Sequence, residues 1–362
     1  MMQGSGVRVQ GSGFRVQGQK TGDVLIGIRE FVERYFEHFN ARELRSAARA
    51  YRAHVEAGGK MFLAMAGAMS TAGIGRILAP AIRAGLVHGI SCTGANLEED
   101  AFRLVGAEQY ESIPDWSTLK PEEEQALYER GANRVTDTTI PDEVMLAVEE
   151  QLIARWAAAA QSGRSAMPVD FLLDALADPA LTTRYTEPEA SWLLAARDMN
   201  VPVWTPGWED SSTGNAFSAA VMRGEVGSHA CVEPGTAQMN RLVRWYLEHC
   251  DPAPGIGFVQ VGGGIAGDFP ICVVPLIAKE LQMPDVPAWG YFCQITDAER
   301  TYGGYSGAPP NEKIAWGKLG PQTPKFSIQS DATIVLPLLL AYLLESLDTG
   351  QKKSRAETRD HV

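Results

Sequence analysis

Lys318 ends a segment, Ala308 to Lys318 (APPNEKIAWGK), whose residue types suit nucleophilic chemistry. A lysine attacks an electrophile only as the neutral amine, and burial beside apolar surface favours that form. Trp316 can supply such a surface two residues earlier, and Gly317 lets backbone approach a bound ligand. The competing reading makes Lys318 a surface lysine at the start of a strand.

Three further stretches carry groups that could bind or react. Gly262 to Gly267 reads GGGIAG and satisfies GxGxxG straight after the apolar run Phe258 to Val261. Backbone N–H groups in such a turn can close on a diphosphate, although a plain tight turn has the same glycines. Glu98, Glu99 and Asp100 follow Thr93, Gly94 and Ala95. Three carboxylates there either complement a helix dipole or hold a cationic amine. Glu209 to Asn215 is a third polar cluster, in which Asp210 or Ser211 can cap a helix or meet a ligand.

These groups need a scaffold, and the hydrophobic pattern outlines one. Apolar residues at helical spacing run from Ile26 to Ala57 with a break around Asn40, and again over 73–84, 94–104, 141–161 and 187–199. Strand-like runs occur at 60–65, 87–92, 201–206, 257–261 and 291–296. Strands separated by helices predict an α/β fold with a Rossmann-like parallel sheet covered by helices on both faces. We expect one large domain with an N-terminal helical extension, and ligands at the carboxyl ends of the strands. A tandem at 4–10 and 11–17 and a polar end at 349–362 predict disordered or flexible tails over 1–22 and 349–362, leaving 23–348 as the domain.

Composition narrows the function. The chain has 362 residues and a net charge of −12, which disfavours nucleic-acid binding and is compatible with cationic ligands such as amines. Its 5 cysteines are odd in number and lack CxxC spacing, and its 6 histidines form no paired-ligand pattern. Reduced thiols, a cytoplasmic location and no metal site follow as expectations. The longest apolar run near the C-terminus, Ile334 to Leu344, is too short to span a bilayer.

The ordered series TGANLEED (93–100), VPVWTPGWEDSSTGN (201–215), VGGGIAGD (261–268), YSGAPPNEKIAWGK (305–318) and SDATIVLPLLL (330–340) resembles the deoxyhypusine synthase family across most of residues 23–345. The resemblance implies homotetramers of Rossmann-like subunits, with NAD and a polyamine bound at subunit interfaces. It implies oxidation of spermidine by NAD, transfer of the aminobutyl group to a lysine as an imine, and delivery to an acceptor amine. That acceptor is a protein lysine in deoxyhypusine synthase and putrescine in the related homospermidine synthases.

By position, the resemblance makes Lys318 the imine-forming lysine and Trp316 the aromatic wall of the amine site. Glu98 and Glu99 match paired substrate carboxylates, with Glu99 also near the cofactor. Thr93, Gly94, Ala95, Asp210, Gly263, Asp297, Ala298, Asp331 and Ala332 match NAD-binding positions, and Ser306 and Glu312 line the amine site.

The chain departs from the family at informative places. Asp268 stands where the family has a histidine and could serve as its replacement in proton transfer. Tyr302, Tyr305 and Asn215 replace acidic residues, and Ala68 replaces an asparagine. Each lost charge-assisted hydrogen bond is worth roughly 1.5–3 kcal/mol, so these changes bear first on the amine. Two readings follow: an NAD-dependent aminoalkyl transferase of the deoxyhypusine synthase-like group, or a catalytically weak paralogue that binds NAD or amine. A plain NAD-dependent dehydrogenase would leave Lys318 without a role.

Overall fold

The computed structural model describes residues 26–359, with side chains through Glu345. The tail expected at 1–22 lies outside these residues, as do the side chains of the one expected at 349–362.

The chain opens with α1 (Ile28–Tyr35) and α2 (Phe39–Glu56), so the helical break falls just before Asn40. Phe39 takes a φ of 54°, and this left-handed start turns α2 away from α1. β1 (Lys60–Met65), α3 (Gly75–Arg83), β2 (Gly89–Cys92) and α4 (Gly94–Gly106) follow. Next come α5 (Pro121–Glu129), the hairpin strands β3 (Ala132–Val135) and β4 (Thr138–Pro141), then α6 (Asp142–Ser162), α7 (Pro168–Leu176), α8 (Pro179–Thr182) and α9 (Trp192–Asp198). The last third holds β5 (Val203–Trp204), α10 (Ser212–Met222), α11 (Gly235–His249), β6 (Ile256–Val261), α12 (Gly264–Ile271) and α13 (Val273–Pro275). β7 (Tyr291–Thr296), α14 (Glu312–Ala315), β8 (Lys325–Gln329) and α15 (Ala332–Arg359) complete it.

Six strands form one parallel sheet in the order β5-β2-β1-β6-β7-β8. Every residue of β6 and β7 is buried, as expected of strands covered on both faces. The register places Phe62 beside Phe258 and Phe258 beside Phe292, and their rings stack at 5.6 and 6.1 Å. Trp289 packs edge-on against Phe258 at 4.8 Å. On the opposite face the Tyr291 hydroxyl donates to the Ala47 carbonyl of α2 at 3.0 Å. Alternation along β7 therefore sends Tyr291 to α2 and Phe292 to the other layer.

The parallel α/β sheet matches expectation, with differences in detail. β5 is two residues long, because Pro202 and Pro206 flank it without N–H donors for a ladder. The strand β8 and the antiparallel β3–β4 hairpin were not legible from periodicity. Strand order reverses between β1 and β6, where Ala66 and Gly262 leave the sheet side by side, a Cβ on Gly262 lying 3.0 Å from that of Ala66.

Candidate active site

The end of a one-turn helix places Lys318. Gly317 follows α14 with a φ of 71°, its amide donates to the Ile314 carbonyl at 2.9 Å, and the Lys318 amide donates to the Lys313 carbonyl at 3.0 Å. This pair of bonds is a Schellman closure, which turns the chain sharply and fixes the direction in which Lys318 leaves it. A Cβ at Gly317 would meet nothing within 4 Å among the described residues, so the backbone conformation rather than a close neighbour demands glycine. After the turn, Trp289 N–H donates to the Lys318 carbonyl at 3.4 Å.

Lys318 is only 8% exposed, which rules out the surface reading. Its Nζ donates to Asp268 Oδ1 at 2.9 Å and lies 5.4 Å from the centre of the Tyr305 ring and 5.8 Å from that of Trp316. Trp316 itself is 61% exposed and forms a rim rather than a closed wall. Asp268 sits on α12 and also accepts the Cys272 thiol at 3.6 Å. Together with Arg300, Gly303, Gly304, Ala308, Glu312 and Lys313 these groups line a pocket of 370 Å³, large enough for a small amine.

Gln294 holds the far wall. Its amide donates to the carbonyls of Ser306 and Ala308 at 3.2 and 3.3 Å and to Ser327 Oγ at 3.1 Å. Its Oε1 accepts from Lys313 Nζ at 3.4 Å. Lys313 is 3% exposed, and burial, with the Lys318 charge next in importance, lowers its pKa to about 8. Sequence reasoning missed Lys313; its signal was a second lysine five residues before Lys318.

The residues matched to a dinucleotide occupy the carboxyl edge of the sheet. Thr93 follows β2, Gly263 follows β6, Asp297 and Ala298 follow β7, and Asp331 and Ala332 follow β8. Asp210 lies in the loop after β5 and is exposed. Gly263 caps α12 without a side-chain acceptor, leaving the first N–H groups of that helix for a ligand anion. Gly262 and Gly264, at φ 71° and 62°, shape the turn. The uncapped α12 N-terminus suits an anion such as a diphosphate. Several matched groups also have structural work. A Cβ at Gly263 would meet Ser306 Oγ at 2.6 Å, and one at Gly94 would meet Ser211 Cβ at 2.7 Å. Thr93 Oγ1 caps α4 through Asn96 N–H at 3.2 Å and donates to the Gly67 carbonyl at 2.8 Å. Asp331 Oδ1 accepts from Thr333 N–H at 2.7 Å.

The α4 carboxylates do not line the Lys318 pocket. Glu98 accepts from the Ser212 and Thr213 amides at 3.0 and 2.8 Å, capping α10. Asp100 accepts from Ser191 Oγ, Trp192 N–H and Leu193 N–H at 2.6, 3.3 and 3.2 Å, capping α9. Glu99 accepts from Thr71 N–H at 3.3 Å, and burial raises its pKa to about 7. Of the replaced positions, Tyr305 lines the Lys318 pocket, Tyr302 is exposed, and Asn215 and Ala68 lie elsewhere. Among the described residues no helix is long and apolar enough to cross a membrane.

The family model for deoxyhypusine synthase matches residues 30–343. A "Deoxyhypusine synthase-like protein" from Thermosynechococcus vestitus is 29% identical over 332 residues, covering 88% of this chain and 79% of the relative. "Probable deoxyhypusine synthase 2" from Methanosarcina acetivorans is 30% identical over 312 residues, covering 85% and 83%. Among solved structures, a candidate deoxyhypusine synthase from Entamoeba histolytica shares the fold with a TM-score of 0.53 at 14% identity, over 90% of this chain and 96% of that one. With nearly all of its folded length matched, from α1 through the sheet to α15, the chain belongs to the deoxyhypusine synthase family.

Proposed function

We propose that the chain is an NAD-dependent transferase that moves an aminoalkyl group from a polyamine or related amine to an acceptor amine through an imine on Lys318. The observation that carries this reading is a buried lysine, paired with one carboxylate, in a pocket sized for a small amine. Family membership supports aminobutyl transfer in general, and the uncapped α12 N-terminus supports NAD as cofactor. Bound NAD would accept the hydride from the donor amine and return it to the product, chemistry that no side chain supplies.

Each residue then has a part. Asp268 Oδ1, at 2.9 Å, takes the proton that leaves Lys318 and frees its lone pair. Lys318 Nζ attacks the oxidised donor at its C=N carbon, the original amine departs, and a Lys318 imine holds the aminoalkyl group. An acceptor amine attacks that imine and releases Lys318 unchanged. Glu312 and Asp268 offer negative charge to the amines, while Trp316 and Tyr305 flank the alkyl chain. Family membership supports oligomeric assembly in general, and we propose a homotetramer with its sites at subunit interfaces.

One observation favours a second reading, a catalytically weak NAD- or amine-binding paralogue. Glu98, matched to a substrate carboxylate, is committed to the α10 N-terminus. Borohydride trapping separates the two. The protein is incubated with NAD and spermidine, homospermidine, putrescine or agmatine, then reduced, digested and mapped by mass spectrometry. The transferase reading expects an adduct on Lys318 that needs NAD and disappears in Lys318→Ala. An adduct that persists in Lys318→Ala would name a different nucleophile, and NAD binding without any adduct would favour the paralogue.

A further inference from the structure

Two polar groups in the Lys318 pocket lack the partners that their burial calls for. Lys313 Nζ has a single hydrogen bond among the described residues, 3.4 Å to an amide oxygen, and no ion pair. It otherwise faces the rings of Tyr305 and Phe292, at 4.9 and 5.1 Å. The Tyr305 hydroxyl is buried with no hydrogen-bond partner among the described residues. Burying an ammonium without a counter-ion, or a hydroxyl without an acceptor, is costly, and native structures rarely keep such groups idle. Both are hydrogen-bond donors and both line the same pocket.

Charge in the pocket is therefore divided. Asp268 and Glu312 are acceptors suited to an amine, whereas Lys313 and Tyr305, with Arg300 also on the lining, are donors suited to an anion. Lys313 and Lys318 Nζ lie within 4.9 and 5.4 Å of the same Tyr305 ring centre, so the two halves are close together. A diamine extended across this space would set its second ammonium against Lys313, and like charges in a buried site repel strongly.

We propose that the molecule which meets Lys318 is an amino carboxylate, its amine directed to Asp268 and Glu312 and its carboxylate held by Lys313 and the Tyr305 hydroxyl. This rests on the Lys318 pocket being the substrate site and changes the group carried: from such a donor ammonia would depart and the Lys318 imine would hold a carboxyalkyl group in place of an aminoalkyl one. Lys313 is then a specificity-determining residue, and Tyr305 assists it.

Putrescine and 4-aminobutyrate have equal chain length and differ only at one end, so they isolate the contribution of the carboxylate. Calorimetric titration of the full-length protein with NAD present should show 4-aminobutyrate binding about tenfold or more tighter than putrescine, the order expected for a charge-assisted contact. Lys313→Met keeps the volume and removes the charge; it should weaken 4-aminobutyrate about tenfold without weakening putrescine. Tyr305→Phe should cost a few-fold for the amino acid alone, and it decides the matter if Lys313→Met melts early. Equal binding of the two ligands, no binding of 4-aminobutyrate at millimolar concentration, or equal loss of both in Lys313→Met would overturn the proposal. Lys318 trapping run in parallel keeps the two readings apart. NAD-dependent adducts from polyamines that 4-aminobutyrate does not compete away would sink this inference and leave the transferase standing. Tight 4-aminobutyrate binding without any adduct would do the reverse.

Discussion

In the Lys318 pocket two lysines are buried and only Lys318 is ion-paired, to Asp268; at the start of α4 three buried carboxylates have no ion-paired cation among the described residues. The α4 acids are satisfied by backbone instead. Glu98 takes two amides of α10, Asp100 takes two amides and the Ser191 hydroxyl at α9, and Glu99 takes one amide at Thr71. Helix N-termini carry partial positive charge and can replace a cation. The pocket offers no such replacement to Lys313, whose one hydrogen bond among the described residues is to the Gln294 amide oxygen. A run of acidic residues in sequence is therefore a poor guide to an open amine site.

The largest effect expected from this contrast is at Asp100. Asp100→Ala would strand three buried donors, at about 1–3 kcal/mol for each one left unsatisfied, so a loss of at least about 3 kcal/mol in urea unfolding is expected. Asp100→Asn keeps an acceptor and should lose less. A loss below about 1 kcal/mol for the alanine variant would break the comparison, since Asp100 would then not be structural.

Glu99 sharpens it through pH. Burial comes first among the causes that raise its pKa from 4.5 to about 7, so the folded state binds a proton more tightly than the unfolded chain. The sign follows: folding is favoured below pH 4.5 and loses that advantage as pH rises toward 7, by up to about 3 kcal/mol. Glu99→Gln retains an acceptor for Thr71 N–H and cannot ionise. It should flatten the stability–pH curve between pH 4.5 and 7 and stabilise the protein at pH 8. Unchanged curvature would show that Glu99 is solvated in the assembled protein.

How much of this was legible follows the range of the interactions. β1 and β7 were found at their full length, because compact apolar runs bounded by polar residues are local signals. β8, Lys325 to Gln329, mixes charged and apolar residues and becomes a strand only by pairing with β7. Lys318, Trp316 and the GGG turn stood out because their spacing is local, and the structure brings Lys318, Asp268, Glu312 and Trp316 around one pocket. The commitments of Glu98 and Asp100 were hidden, since their partners lie more than 90 residues away in sequence. Lys313 was hidden too: its burial depends on Phe292 from β7 and on Gln294 beside it, neither of which the segment around Lys318 reveals.

The smallest expected effect tests the turn rather than the charges. Gly317 holds φ 71° with open space where a Cβ would project, so Gly317→Ala meets no clash and only the left-handed strain, about 1–2 kcal/mol. If the Schellman closure alone aims Lys318, the variant should lose about that much stability, and NAD-dependent trapping on Lys318 should slow by more than the stability loss explains. Gly317→Asn tolerates the same backbone better and should recover most of both. Equal trapping rates in Gly317→Ala and the parent would mean that the Asp268 ion pair, not the turn, sets the direction of Lys318. The pocket would then resemble the α4 cluster after all, with its charged groups placed by their partners and the backbone following.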